Sequence, residues 1–170
     1  MESTMGVSVV GLEPRFVEGE RMRIAGLRGH FKREEIDRIP AQWQRLAAMG
    51  EIAGRVSRVE YAVVLMVGDG CDYVSGYEVE PSAELPAEFY SVNLPGERYA
   101  VFAHEGHVSK MRYTFGAIFD RWLPESGMEV VRSIESTPWC LERYGERFQP
   151  QTGMGDVEIW VPVKNRIRQQ

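Results

Sequence analysis

Hydrophobic and polar positions follow two periods along this chain, and the order of the periods repeats. Residues 59–67 and 73–79 are strand-like apolar runs separated by Gly68-Asp69-Gly70, a composition suited to a hairpin turn. Residues 138–144 and 157–163 form a second such pair, joined by a longer link containing Pro150 and Gly153 to Gly155. Ahead of each pair the spacing becomes helical. In residues 33–49 the apolar stripe is Ile36, Ile39, Trp43 and Leu46, with Glu34 and Glu35 where the helix dipole favours carboxylates. Pro40 fits a first turn and clashes in a helix interior, so the main helix is expected to begin there after one looser turn. In residues 110–123 the stripe is Phe115, Ile118, Phe119, Trp122 and Leu123, with Ser109 as the expected N-cap and Pro124 and Gly127 as the stop.

Each helix is preceded by a strand that stops at a glycine, Arg23 to Gly29-His30 in one case and Arg98 to Gly106-His107 in the other. The two strands are offset by 98 − 23 = 75 residues, and Trp43 and Phe119 on the two helices by 119 − 43 = 76. Both halves therefore read strand, helix, strand, strand, as expected after a duplication. Residues 80–96, with three prolines, read as the connection. Two antiparallel sheets, or one continuous curved sheet, with both helices on one side is the expected architecture.

The composition is that of a folded chain: 170 residues with 44% hydrophobic and 26% charged suit one compact domain. The balance of 20 basic and 25 acidic residues, a net charge of −5, and the lack of any run of five basic residues argue against direct nucleic-acid binding. The longest apolar run, residues 62–67, has the length of a strand, which argues against a membrane span. Residues 1–11 carry Glu2 where a secretory signal needs positive charge, so a cytoplasmic location is expected. Cys71 and Cys140 lack CxxC spacing and predict neither a disulfide nor a zinc site.

Familiar catalytic signatures are missing. Gly68-Asp69-Gly70 precedes a strand and has no third glycine at dinucleotide spacing, and neither a GxxxxGK[ST] loop nor a GxSxG elbow occurs. His104 and His107 stand three apart at a strand end, with His30 at the matching position of the first repeat; capping or exposure suits them better than metal ligation. No metal and no cofactor is expected. Glu142 stands out, because alternation places it between Cys140 and Tyr144 on one face of its strand. A partly buried carboxylate there needs a cation, hydrogen bonds or a proton, and a cross-strand pair with an arginine remains open as the alternative. Tyr77, Phe115, Phe119, Trp122 and Trp160 are candidate pocket walls, although the helical stripe suits core packing equally well.

The segments Pro138-Trp139-Cys140-Leu141-Glu142-Arg143-Tyr144, Phe148-Gln149-Pro150-Gln151-Thr152-Gly153 and Asp156-Val157-Glu158-Ile159-Trp160-Val161-Pro162-Val163 resemble the C-terminal signature of GyrI-like effector-binding domains, the ligand domains of AraC- and MerR-type bacterial regulators. Tyr99-Ala100-Val101-Phe102, Gly106-His107 and residues 73–79 resemble that family too, and the similarity covers residues 14–164. The resemblance implies an α+β fold of duplicated β-α-β-β units with pseudo-twofold symmetry, halves at about 14–80 and 97–164, and a ligand pocket at their junction. It implies Glu142 as counter-charge to a cationic or amphipathic small molecule, with Tyr144 and Trp160 beside it and Tyr77, Phe115, Phe119 and Trp122 as further ligand contacts. Residues outside 14–164 are few, so a stand-alone member is expected, without the helix-turn-helix of many relatives. The family also implies two alternatives: hydrolysis of strained cyclopropane-bearing genotoxins with Glu142 as general base, and an interaction with a protein such as gyrase or a regulator.

Overall fold

A computed structural model describes residues 12–167. Residues 1–11, read above for a secretory signal, lie outside the described residues. The chain opens with strands β1 (Arg15–Glu18) and β2 (Met22–Lys32). A 3-10 turn, Arg33–Arg38, then leads into helix α1 (Ile39–Ala48). The Glu35 carboxylate accepts from the Lys32 backbone N–H at 2.9 Å, closing the entry to the 3-10 turn, and Pro40 sits in the first turn of α1, as its missing donor and fixed φ require. Strands β3 (Arg55–Val67) and β4 (Gly70–Val79) form the hairpin read from the pattern.

The second half repeats this order. Strands β5 (Tyr90–Leu94) and β6 (Arg98–His104) lead into α2 (Met111–Gly116), a π-helical segment (Ala117–Trp122) and α3 (Leu123–Ser126). Strands β7 (Met128–Val130), β8 (Trp139–Tyr144) and β9 (Val157–Asn165) follow. His107, not Ser109, caps the turn ahead of α2: its Nδ1 accepts from the Ser109 backbone N–H at 3.0 Å. Gly127, at φ 77°, ends α3 in the left-handed conformation that glycine adopts without penalty.

The sheet order is β5-β2-β4-β3-β8-β9-β6-β1, with β7 paired to β9 outside this path. Exchanging β1 with β5, β2 with β6, β3 with β8 and β4 with β9 maps this order onto its own reverse, so the topology carries the pseudo-twofold axis between β3 and β8. The expected connection at residues 80–96 does more than connect, because β5 lies within it and pairs with β2 from Met22↔Leu94 to Gly26↔Tyr90. β1 pairs with β6 in a continuation of that ladder, from Glu18↔Arg98 to Arg15↔Val101, and the Gly19 N–H donates to the Glu97 carbonyl at 2.8 Å where the ladder bends. Each half thus lends its leading strand to the other half.

Strand alternation separates two apolar layers. Val63, Leu65, Val74, Tyr99, Val101, Trp139 and Leu141 pack on the face away from the helices. Phe31, Ala62, Val64, Tyr73, Phe102, Cys140, Ile159 and Val161 pack on the helix face. There α1 is seated by Gln42, whose Nε2 donates to the Leu27 and Tyr73 carbonyls and to Ser75 Oγ at 2.9–3.0 Å. The opposite helical unit is seated by the buried Met111 and Ile118 and by Trp122 against Phe102. The two halves meet at the centre of the sheet, where β3 and β8 pair.

Candidate ligand-binding site

The site around Glu142 is set by register. Ala62 on β3 stands opposite Glu142 on β8, and its small side chain leaves the carboxylate uncovered by its cross-strand neighbour. Glu142 is 7% exposed and belongs to the helix face together with Cys140 and Tyr144, as alternation predicts. Two phenols converge on one of its oxygens: Tyr73 and Tyr144 each donate to Oε1 at 2.6 Å. Among the described residues none donates a side-chain hydrogen bond to Oε2. The Trp43 indole N–H donates to the Tyr73 hydroxyl at 3.0 Å, so α1, β4 and β8 are tied into one relay, Trp43 to Tyr73 to Glu142.

Aromatic rings pack on the two phenols that hold this carboxylate. Trp43 meets Tyr144 edge-on, centroids 5.5 Å apart, and meets Tyr73 at 6.3 Å, while Phe148 lies 5.0 Å from Tyr144 on its other side. Such edge contacts add about 0.5–1.5 kcal/mol each to the burial itself. Burial dominates the electrostatics and pushes the Glu142 carboxyl above the usual glutamate range, while the two phenol donors oppose it by favouring the charged form. The same burial, with the Glu142 charge beside them, drives both phenols well above 10. Cys140 is pushed up likewise, and Cys71 rises to about 11, so neither thiol is a ready nucleophile. No arginine pairs with Glu142 among the described residues, so its charge is met by hydrogen bonds alone.

The remaining candidate residues divide. Phe115 and Phe119, rings parallel at 6.2 Å, line the second helical unit and pack onto the helix-face layer. Phe119 also borders a groove of about 420 Å³ with Met66, Leu123, Met128 and Pro138, on the helix face towards the other end of β3 and β8. Trp122 turns away from Glu142, towards Phe102 at 5.0 Å and Phe16 at 6.5 Å. Tyr77 shares the helix face but is 3% exposed under Leu46 and Ile52, with the Arg55 guanidinium 3.7 Å from its ring. Trp160 lies on the opposite face of the sheet: it pairs with Leu141 rather than Glu142, packs on Tyr99 at 5.2 Å and donates to Glu158 at 2.9 Å. Period-two alternation already separates Trp160 from Ile159, the register partner of Glu142, so the correction follows from pairing rather than from composition.

Tyr73 and Trp43 are the members that sequence reading left out. Tyr73 lies four residues before Tyr77 on the same face of β4, and only the register of three strands shows which of the two reaches Glu142. Trp43 carries a readable signal, since the repeat offset aligns it with Phe119. The histidines are structural. His104 is buried, with Nδ1 2.7 Å from Thr114 Oγ1 and Nε2 2.9 Å from the His107 carbonyl. His30 is exposed beside Asp72, 2.6 Å away.

Comparison with known proteins agrees with this fold. Residues 12–164 match the family model of the GyrI-like small molecule binding domain. The transcriptional regulator BrlR of Pseudomonas aeruginosa is 28% identical over 156 residues, which are 89% of this chain and 56% of that regulator, so the chain spans little more than half of its relative. The structure of SAV2435 bound to tetraphenylphosphonium superposes with a TM-score of 0.70 at 18% identity, covering 89% of this chain and 94% of that one. EcmrR in its complex with DNA superposes with a TM-score of 0.68 at 12% identity, covering 97% of this chain and 62% of that one. With the family model spanning nearly all of its described residues, the chain belongs to the GyrI-like small molecule binding domain family.

Proposed function

We propose that this domain captures a small amphipathic cation in the cleft between its helical units, with Glu142 as the counter-charge. The observation that carries the reading is a carboxylate 7% exposed, hydrogen-bonded on one oxygen only and walled by Trp43, Tyr73, Tyr144 and Phe148. Keeping such a group inside the protein without a cation costs stability, and a cation entering the cleft recovers that cost as affinity. The rings add attraction through their quadrupoles, about 0.5–2 kcal/mol for a desolvated cation over an aromatic face. The binding of tetraphenylphosphonium by the similar SAV2435 supports the same ligand class.

Titration calorimetry with two ligands of equal shape and opposite charge tests this. Tetraphenylphosphonium should bind and tetraphenylborate should not. Equal affinity for the two would show that shape alone drives binding and would remove the counter-charge role.

A second reading rests on the same carboxylate. A glutamate raised by burial and held by two phenols is poised to accept a proton from water, the general-base role in opening a strained, electrophilic ring. Incubation with cyclopropane-bearing alkylators and mass spectrometry of the products tests it: turnover that disappears in Glu142→Gln supports hydrolysis, and unchanged substrate leaves binding alone.

A further inference from the structure

A second carboxylate shares the helix face with Glu142 and has no assigned role. Glu60 on β3 pairs with Tyr144 on one side and with Tyr77 on the other, and both tyrosines belong to the helix face. Glu142 lies two residues before Tyr144, so Glu60 and Glu142 are diagonal cross-strand neighbours. Diagonal neighbours stand about 7–8 Å apart, their Cβ atoms somewhat less. Tyr144 lies between them, its hydroxyl on Glu142 and its backbone opposite Glu60.

Glu60 is half-buried, and burial raises its carboxyl above the ordinary range. Among the described residues no cation forms an ion pair with it. The nearest charge that favours its ionised form is Arg55, whose guanidinium is committed elsewhere: it lies over the Tyr77 ring and donates to the Ser57 and Arg58 carbonyls at 2.7 and 2.8 Å. Two carboxylates on one face of the sheet, each losing hydration and neither ion-paired, leave a place for a ligand carrying two positive centres, which relieves both at once. Glu142, 7% exposed and with no side-chain donor on Oε2 among the described residues, is the deeper anchor, and Glu60 the shallower.

Resting on the proposed cation-binding function, we infer that Glu60 is a second anionic anchor and that the cleft prefers ligands with two cationic centres set about 7–8 Å apart across Tyr144. The test compares bis(trimethylammonium)alkanes, with spacers from propane to decane, against alkyltrimethylammonium ions of matching length, by calorimetry on the wild type, Glu60→Gln and Glu142→Gln. The wild type should bind the bis-cation with a spacer near pentane at least about tenfold more tightly than its monocationic match. Glu60→Gln should remove that advantage while leaving monocation affinity within about twofold, and Glu142→Gln should weaken both ligands. Equal binding of mono- and bis-cations by the wild type overturns the role of Glu60 and leaves the counter-charge reading standing, and it needs no variant to fold. A Glu60→Gln loss that is equal for both ligands also overturns it, because it marks a general field effect. Failure of both ligand classes to bind the wild type overturns both readings together.

Discussion

Replacing Tyr73 by phenylalanine removes a single oxygen and keeps the ring, so the packing against Trp43 and Phe31 is preserved while two hydrogen bonds disappear. One is the 2.6 Å donation to Glu142 and the other the 3.0 Å acceptance from the Trp43 indole. A hydrogen bond to a charged group contributes about 1.5–3 kcal/mol, and a stranded indole N–H costs about 1 kcal/mol more. The expected loss is about 2–4 kcal/mol, or roughly 4–15 °C in Tm for a domain of this size. Urea denaturation at pH 8 of the wild type, Tyr73→Phe, Glu142→Gln and the double variant turns this into a cycle. In the Glu142→Gln background the same phenol makes only a neutral bond, about 0.5–1.5 kcal/mol, so the coupling should reach about 1–2 kcal/mol. A coupling below about 0.5 kcal/mol, within the scatter of independent sites, would refute the bond between phenol and ionised carboxylate.

Four further outcomes follow from the same geometry. Affinity for a permanently charged cation should fall on acidification with a midpoint above 4.5, because burial raises the Glu142 carboxyl above that ordinary value; calorimetry across a pH series reads it. The sign for stability is opposite: the contribution of a raised carboxyl is present at acid pH and is lost as pH rises through its folded value, so Glu142→Gln should melt at or above the wild type at neutral pH in a thermal scan. Trp160→Phe should leave tetraphenylphosphonium affinity within about twofold while lowering Tm, since the indole packs on Tyr99 behind the sheet. Gly26→Ala should lose the cooperative transition or more than about 3 kcal/mol, because a Cβ there would stand 1.8 Å from the Ser75 carbonyl oxygen and 2.6 Å from the Gly76 Cα, backbone atoms that cannot move without parting β2 from β4.

Much of this arrangement is legible in the chain because its strongest signals are local. The Gly68-Asp69-Gly70 turn between two apolar runs gives the β3–β4 hairpin, and Pro40 marks the start of α1 after a looser turn because proline leaves few other places for it. The repeat offset forecasts the duplicated strand, helix, strand, strand order, with Trp43 and Phe119 in corresponding helical units of the two halves. β1 and β5 are not legible. They are 4 and 5 residues long, and their partners lie on the strands of the other half, so their strand character comes from the ladder and not from their own pattern. The π-helical segment at Ala117–Trp122 is hidden for a related reason: an apolar stripe reads alike in α and π helices over one turn, and the two differ in backbone bonding such as the bond from the Leu123 N–H back to Ile118.

At the site the local part was again the readable part. Alternation alone placed Glu142 with Tyr144 on one face, and the structure adds the hydrogen bond between them. The choice of Tyr73 over Tyr77, the exclusion of Trp160 and the nearness of Glu60 all depend on the register of β4 and β9 against β3 and β8. A shift of one residue in that register would exchange the faces, and no short-range signal in the sequence sets it.

Affinity of folded Glu142→Gln for tetraphenylphosphonium, measured by calorimetry at pH 8 beside the wild type, tests the counter-charge most directly. The glutamine side chain keeps the shape and an oxygen for the two phenols, so only the charge is lost. The account predicts weakening by about 2–5 kcal/mol, at least about thirtyfold. Undiminished affinity in a variant whose circular dichroism and melting match a folded domain would contradict it.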